Sequence, residues 1–159
     1  MAKKDEIFQK LKSILGEQAV ATGEPAKTGV AVTAIASPAN FKKAISACRE
    51  AEFFLESMSG LDFTDTMEVV YHLNCYEPSS RVAVRICCAK GGSLPTVSDI
   101  FDSALWQERE TWEFFGIGFS GHPELKPLLL PEDIDADYHP HRKTFGKANA
   151  YCKREEIYG

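Results

Sequence analysis

Between Trp106 and Phe145 the chain concentrates groups able to do chemistry: carboxylates, guanidinium and ammonium groups, and three of its four histidines. The stretch opens WQERETWEFFG, continues GHPELKPLLLP and closes HPHRKTF. Glu110 and Glu113 stand at helical spacing and could in principle work as acid and base. His139 and His141 could begin a metal site, and Asp133-Ile134-Asp135-Ala136-Asp137 imitates the start of a calcium loop. Each pattern stops short. No nucleophile, phosphate loop or dinucleotide glycine fingerprint accompanies the glutamates. The histidines lack a third ligand at convincing spacing, and the calcium pattern has Tyr138 where glycine is needed and Thr144 where glutamate is needed. The expectation is a chain with no catalytic, cofactor-binding or metal residue of its own.

The element that must position these groups reads as a helix. Leu105, Trp106, Trp112 and Phe115 supply large apolar contacts, and Gly116 is a C-terminal stop. Glu108, Arg109, Glu110 and Glu113 fall within about two turns, with Arg109 and Glu113 at i, i+4. As a solvated surface row, each such ion pair would stabilise the helix by roughly 0.2–0.5 kcal/mol. The alternative is a charge network that fixes the helix to the following Gly121-His122-Pro123 turn, with His122 capping or bridging it. Leu128-Leu129-Leu130, flanked by Pro127 and Pro131, reads as a short buried extended segment at a sheet edge or in a covered groove.

Upstream, residues 5–15 place Ile7, Leu11, Ile14 and Leu15 on one helical face, ended by Gly16. Residues 29–36 read as a strand, Ser37-Pro38 as the start of a helix through Phe41, Ala44, Ile45 and Cys48, and residues 53–60 as a strand. A hairpin of 67–76 and 81–89 is expected around Pro78-Ser79-Ser80. Thr96 and Asp99 have capping-box spacing. This order predicts an α+β fold of two layers, a mixed β-sheet with helices packed mainly on one face, over residues 1–130. Residues 131–159 hold few large aliphatics and read as a poor folding unit on their own, a frayed or extended terminus. It is acidic at Glu132, Asp133, Asp135 and Asp137, then basic at Arg142, Lys143, Lys147, Lys153 and Arg154.

With 159 residues, 44% hydrophobic and 26% charged, the chain is the size and composition of one globular domain. A net charge of -5 argues against nonspecific nucleic-acid binding. No apolar run is long enough to span a bilayer, and the N-terminus lacks a signal-peptide apolar core. Membrane association is therefore expected only through partners. Cys48, Cys75, Cys87, Cys88 and Cys152 are odd in number and form no CxxC, which suggests free thiols in a reducing compartment rather than a cluster or zinc site.

One pattern is more specific. Glu108-Arg109-Glu110, two spacers, Glu113-Phe114-Phe115, six spacers, His122, three spacers, Lys126, one spacer and Leu128-Leu129 resembles the signature of the respiratory complex I 30 kDa subunit family. That is the C subunit of NADH-quinone oxidoreductase, with relatives in membrane-bound hydrogenases. His139-Pro140-His141-Arg142-Lys143 resembles the family's HPLRKD tail motif. Glu113 stands where Asp is usual, and Tyr138, His141 and Thr144 replace the common Gly, Leu and Asp. The resemblance implies a noncatalytic, cofactor-free subunit of the peripheral arm, in a complex that carries electrons from NADH through iron-sulfur clusters in other subunits to quinone, coupled to ion translocation. It implies as partners a large 49 kDa-type or hydrogenase-like subunit and iron-sulfur subunits, on the cytoplasmic side of the membrane. Trp106, Glu108, Arg109, Glu110, Glu113, Phe114, Phe115, Gly121, His122, Pro123, Lys126, His139, Pro140, Arg142 and Lys143 are the implied structural or interface residues, and the resemblance makes residues 131–159 an extended partner-binding tail in which Arg142 and Lys143 anchor partner contacts. The equivalent subunit of a hydrogenase or other donor:quinone complex is the alternative, and a free-standing binding module is a third reading.

Overall fold

A computed structural model describes residues 3–145. Its scaffold follows from two periodicities. Helix α1 (Lys3–Leu15) buries Ile7 and Leu11, one turn apart, and ends at Gly16, which takes a positive φ of 98°. Helix α3 (Phe41–Glu50) buries Phe41, Ala44, Ile45 and Cys48. Its N-terminal turn is set by Asn40, whose side-chain oxygen accepts from the Ser37 N–H at 2.8 Å. The expected Ser37-Pro38 start is therefore a turn, and the helix begins at Phe41.

Between and after these helices lie β1 (Val20–Thr22), a single-turn helix α2 (Pro25–Thr28), β2 (Val32–Ala36), β3 (Phe54–Asp62), β4 (Thr66–Tyr76) and β5 (Ser79–Ala89). The strands form one sheet in the order β1-β2-β5-β4-β3. Only β2 and β5 run parallel, so the sheet is mixed as expected. The expected hairpin is β4–β5, in register from Thr66 opposite Ala89 to Tyr76 opposite Ser79. Alternation places Val32, Ala34, Val69, Tyr71, Leu73, Val82, Val84 and Ile86 on one face, where they form a single core with α1 and α3.

The remaining edge of that core is closed by a smaller unit. Strand β6 (Ser93–Pro95) pairs in parallel with β7 (Gly118–Ser120), and helix α4 (Ala104–Phe115) joins them. Leu94, Val97, Phe101, Ala104, Ile117 and Phe119 contribute to the main core, so this βαβ unit is packed into the domain rather than appended to it. The Thr96–Asp99 capping box does not form. Residues 96–103 make turns before α4 begins at Ala104, and the Thr96 hydroxyl has a different partner. Helix α4 lies against β3, where the Phe115 ring occupies the space a side chain at Gly60 would need: a Cβ there would come within 2.6 Å of it.

That contact yields a stability test. Gly60→Ala forces Phe115 off its seat, so the expected cost is about 1–3 kcal/mol by urea denaturation. A variant as stable as the parent would mean that α4 can lift from β3 freely.

Candidate functional site

Helix α4 does not sort its residues as an amphipathic pattern suggests. Trp106, expected to supply a large apolar contact, is 63% exposed, while Glu108, Thr111 and Glu113 are buried. A buried carboxylate requires donors, and here they are backbone N–H groups for Glu113 and one N–H with one hydroxyl for Glu108. Glu113 accepts from Leu128 N at 3.1 Å, from Leu129 N at 3.0 and 3.2 Å, and from Leu130 N at 2.6 Å. The three N–H groups form a concave anion site whose anion comes from the chain's own helix. This corrects the expectation for Leu128–Leu130. They form no strand and are not buried, Leu129 being 65% exposed, because their donors turn toward Glu113 instead of a neighbouring strand.

Arg109 grips the residues just before. Its Nε donates to the Lys126 carbonyl at 3.0 Å and its Nη2 to the Pro127 carbonyl at 2.6 Å, a fork that a single ammonium would not reproduce. The guanidinium carbon also lies 5.7 Å from the centre of the Trp106 ring. His122 closes the turn between. Its Nε2 must donate to the Leu105 carbonyl at 3.0 Å and its Nδ1 must accept from Glu124 N at 3.0 Å, which fixes the tautomer. His122 thus bridges the helix and the turn. The four motif charges, however, do not form a network with one another. Among the described residues none pairs with another, and Arg109 and Glu113 bind neighbouring stretches of backbone instead.

Glu108 faces the other way, into the core. It accepts from Val97 N at 2.7 Å and from the Thr96 hydroxyl, and is wholly buried. Burial pushes its carboxyl up to about 7. Below it, the Tyr71 hydroxyl is buried without a hydrogen-bond partner among the described residues, and burial raises its phenol well above the ordinary range.

The C-terminus of α4 is capped by the HPHR run. Gly116, left-handed at φ 70°, closes the last turn to Trp112 O at 2.7 Å. The next carbonyls are then taken in order: Glu113 O by His139 Nδ1 at 2.8 Å, Phe114 O by His141 N at 3.1 Å, Phe115 O by Arg142 Nε at 2.7 Å and Gly116 O by Arg142 Nη2 at 3.3 Å. A Cβ on Gly116 would lie 2.0 Å from Arg142 Nη2, so glycine is required twice over. The His141 ring stacks on Phe114 at 4.6 Å. Arg142, expected to anchor a partner, here spends its guanidinium on its own helix. Lys143 donates its backbone N–H to Asp62 at 2.8 Å, and Asp62 also accepts from Lys90 Nζ at 2.7 Å. The basic residues Lys147, Lys153 and Arg154, and Cys152, lie outside the described residues.

Some motif positions serve locally. Lys126 pairs its ammonium with Glu124 at 2.6 Å, Gly121 takes a positive φ of 87° at the turn, and Pro123 and Pro140 shape the backbone beside the two histidines. Sequence reasoning gave Thr96 a capping role and missed Asp62, because their partners Glu108 and Lys143 are 12 and 81 residues away and leave no local pattern. Among the described residues no cluster of three or more His, Cys, Asp or Glu side chains has the arrangement of a metal site. What the arrangement can do is mechanical: Arg109 and Glu113 bind the backbone of residues 126–130, and the carbonyls at the end of the helix take the side chains of His139 and Arg142 and the N–H of His141.

Glu113→Ala, which orphans three N–H groups, is expected to lower stability by about 2–4 kcal/mol in urea titrations. Retention of full stability would remove Glu113 from this holding role. Glu108 supplies a pH test. Its folded carboxyl, at about 7 against an ordinary 4.5, keeps its proton where the unfolded chain has lost it. The resulting stabilisation is therefore full below pH 4.5 and is lost as pH rises through 7, by at most about 3 kcal/mol. Glu108→Gln should flatten the stability profile in that window, and an unchanged slope would place the titration on another group.

Residues 34–151 match the model of the respiratory-chain NADH dehydrogenase 30 Kd subunit. The chain is 36% identical over 114 residues to the C subunit of NADH-quinone oxidoreductase from Rhodospirillum rubrum, covering 70% of this chain and 52% of that one. It is 35% identical to the corresponding C subunit of Chlorobium phaeobacteroides, covering 62% and 60%. It is also 42% identical over 88 residues to the C/D subunit of NADH-quinone oxidoreductase from Pseudomonas fluorescens, covering 55% of this chain and 14% of that one. The chain thus spans less than two thirds of each of these relatives. Among solved structures, a trypsin-resistant fragment of Nqo5 is similar at a TM-score of 0.63 and 25% identity, covering 77% of this chain and 99% of the fragment. A chain of the membrane-bound sulfane sulfur reductase, an archaeal respiratory membrane complex, shares the fold at a TM-score of 0.74 and 22% identity, covering 91% and 86%. With the family model matched over most of its length, the chain belongs to the respiratory-chain NADH dehydrogenase 30 Kd subunit family.

Proposed function

We propose that this chain is a noncatalytic, cofactor-free subunit of the peripheral arm of an NADH:quinone oxidoreductase. The observation that carries the reading is the family match over residues 34–151. A structural role for the motif fits the geometry, because Glu108, Arg109 and Glu113 and the histidines His122 and His139 are engaged in holding backbone. In the assembled complex NADH, iron-sulfur clusters and quinone would belong to other subunits.

The partner we propose is a large 49 kDa-type subunit, with iron-sulfur subunits beyond it. The C/D relative from Pseudomonas fluorescens supports this, since in that protein the matched portion is a small part of a much longer chain. Residues 131–159 would form the partner-binding extension, its first part seated on α4 by His139 and Arg142. No helix among the described residues is long and apolar enough to cross a membrane, so attachment on the cytoplasmic side would run through the complex.

Affinity purification of the native complex in mild detergent, followed by partner identification and assays of NADH and hydrogen oxidation, tests the assignment. Recovery of a large oxidoreductase subunit with NADH oxidation is expected. Recovery of hydrogen oxidation instead would move the chain to the hydrogenase branch, and a lone monomer would overturn the reading. Arg109→Ala, which frees the Lys126–Pro127 backbone, should reduce the yield of assembled complex or lower monomer stability by about 1–2 kcal/mol. Arg109→Lys should not restore it. Normal assembly with normal stability would remove Arg109 from this role.

A further inference from the structure

Three of the four charged side chains in the Glu108–Glu113 run are consumed inside the molecule, and one is not. Glu110 is exposed, and it makes no hydrogen bond or ion pair with any described residue. An exposed glutamate on a helix is ordinary by itself, but this one stands at the rim of a cavity of about 230 Å³ between α4 and β3. Met58, Phe114, Phe115 and His141 line that cavity beside the polar Ser59 and Thr111, and among the described residues Glu110 is the only carboxylate in its lining. One helical turn back on the same face stands Trp106, 63% exposed.

We propose that this cavity receives an arginine side chain of a partner polypeptide, with Glu110 as its counter-ion. An aliphatic stem can lie along Met58 and the aromatic rings, while the guanidinium donates to the single carboxylate and to the neighbouring hydroxyls. A planar guanidinium stacks on aromatic rings as an ammonium does not, which favours arginine over lysine beside Phe114, Phe115 and His141. Trp106 then lies at the margin, where an exposed aromatic adds contact area around a desolvated pair. The inference rests on the proposed function for the existence of a partner, and adds which group of that partner α4 recognises.

The full chain, as wild type, Glu110→Gln and Glu110→Arg, is co-expressed with the large subunit it copurifies with, and affinity is measured alongside the thermal midpoint of each free chain. Because Glu110 has no internal partner among the described residues, the midpoints should stay within about 2 °C of wild type. Affinity should fall about tenfold for Gln and about a hundredfold for Arg, and an Arg→Glu change at the contacting position of the large subunit should restore binding to Glu110→Arg. Should the Arg variant lose stability, the near-isosteric Gln variant decides. Wild-type binding with undiminished affinity in Glu110→Gln overturns this inference and leaves the subunit assignment standing. Absence of wild-type binding overturns both.

Discussion

A carboxylate withdrawn from water is tolerated only where hydrogen-bond donors converge on it, and helix α4 carries two such groups pointing in different directions. Glu108 gathers Val97 N and the Thr96 hydroxyl into the core, while Glu113 gathers the N–H groups of Leu128, Leu129 and Leu130 at the surface. The path of the chain from β6 to Lys143 depends on these two acids. Without Glu108 the turn that leads into α4 has no fixed seat. Without Glu113 the segment after His122 has lost the partners for its backbone donors. Arg109 supplies the complementary half of the device by binding the carbonyls of Lys126 and Pro127, immediately before the donors that Glu113 binds. Acid and base, one helical turn apart, are thus matched to adjoining carbonyls and amides rather than to each other.

The central scaffold was legible because its signals are periodic. Val82, Val84 and Ile86 alternate on β5, and Phe41, Ala44, Ile45 and Cys48 recur at helical spacing on α3, so burial follows from spacing alone. Element ends were less legible: β2 begins at Val32 rather than residue 29, and α3 at Phe41 rather than at Ser37-Pro38. There a side chain, that of Asn40, decides between turn and helix.

At the site the readings separate by cause. The glycine stop at Gly116 and the bridging histidine at His122 have local signatures. The arrangement of α4 does not: a helix with glutamates on its buried face and a tryptophan in water contradicts the usual pattern, because the groups that satisfy those glutamates are four backbone amides and the Thr96 hydroxyl. Every residue except proline carries such a donor, so nothing in composition or spacing marks Leu128, Leu129 and Leu130 as the ones that turn inward. The family signature names these residues without revealing what they touch.

Glu113 also has a second attachment. Its side chain holds residues 128–130, and its own carbonyl receives His139, so a single position anchors the chain where it leaves the helix surface and again where it returns. The span between, residues 131–138, is a closed loop with both feet on one residue. The entropy of closing such a loop grows only with the logarithm of its length. This is consequently the place where the protein can absorb added or deleted residues, while the clamped stretches on either side have almost no latitude in length.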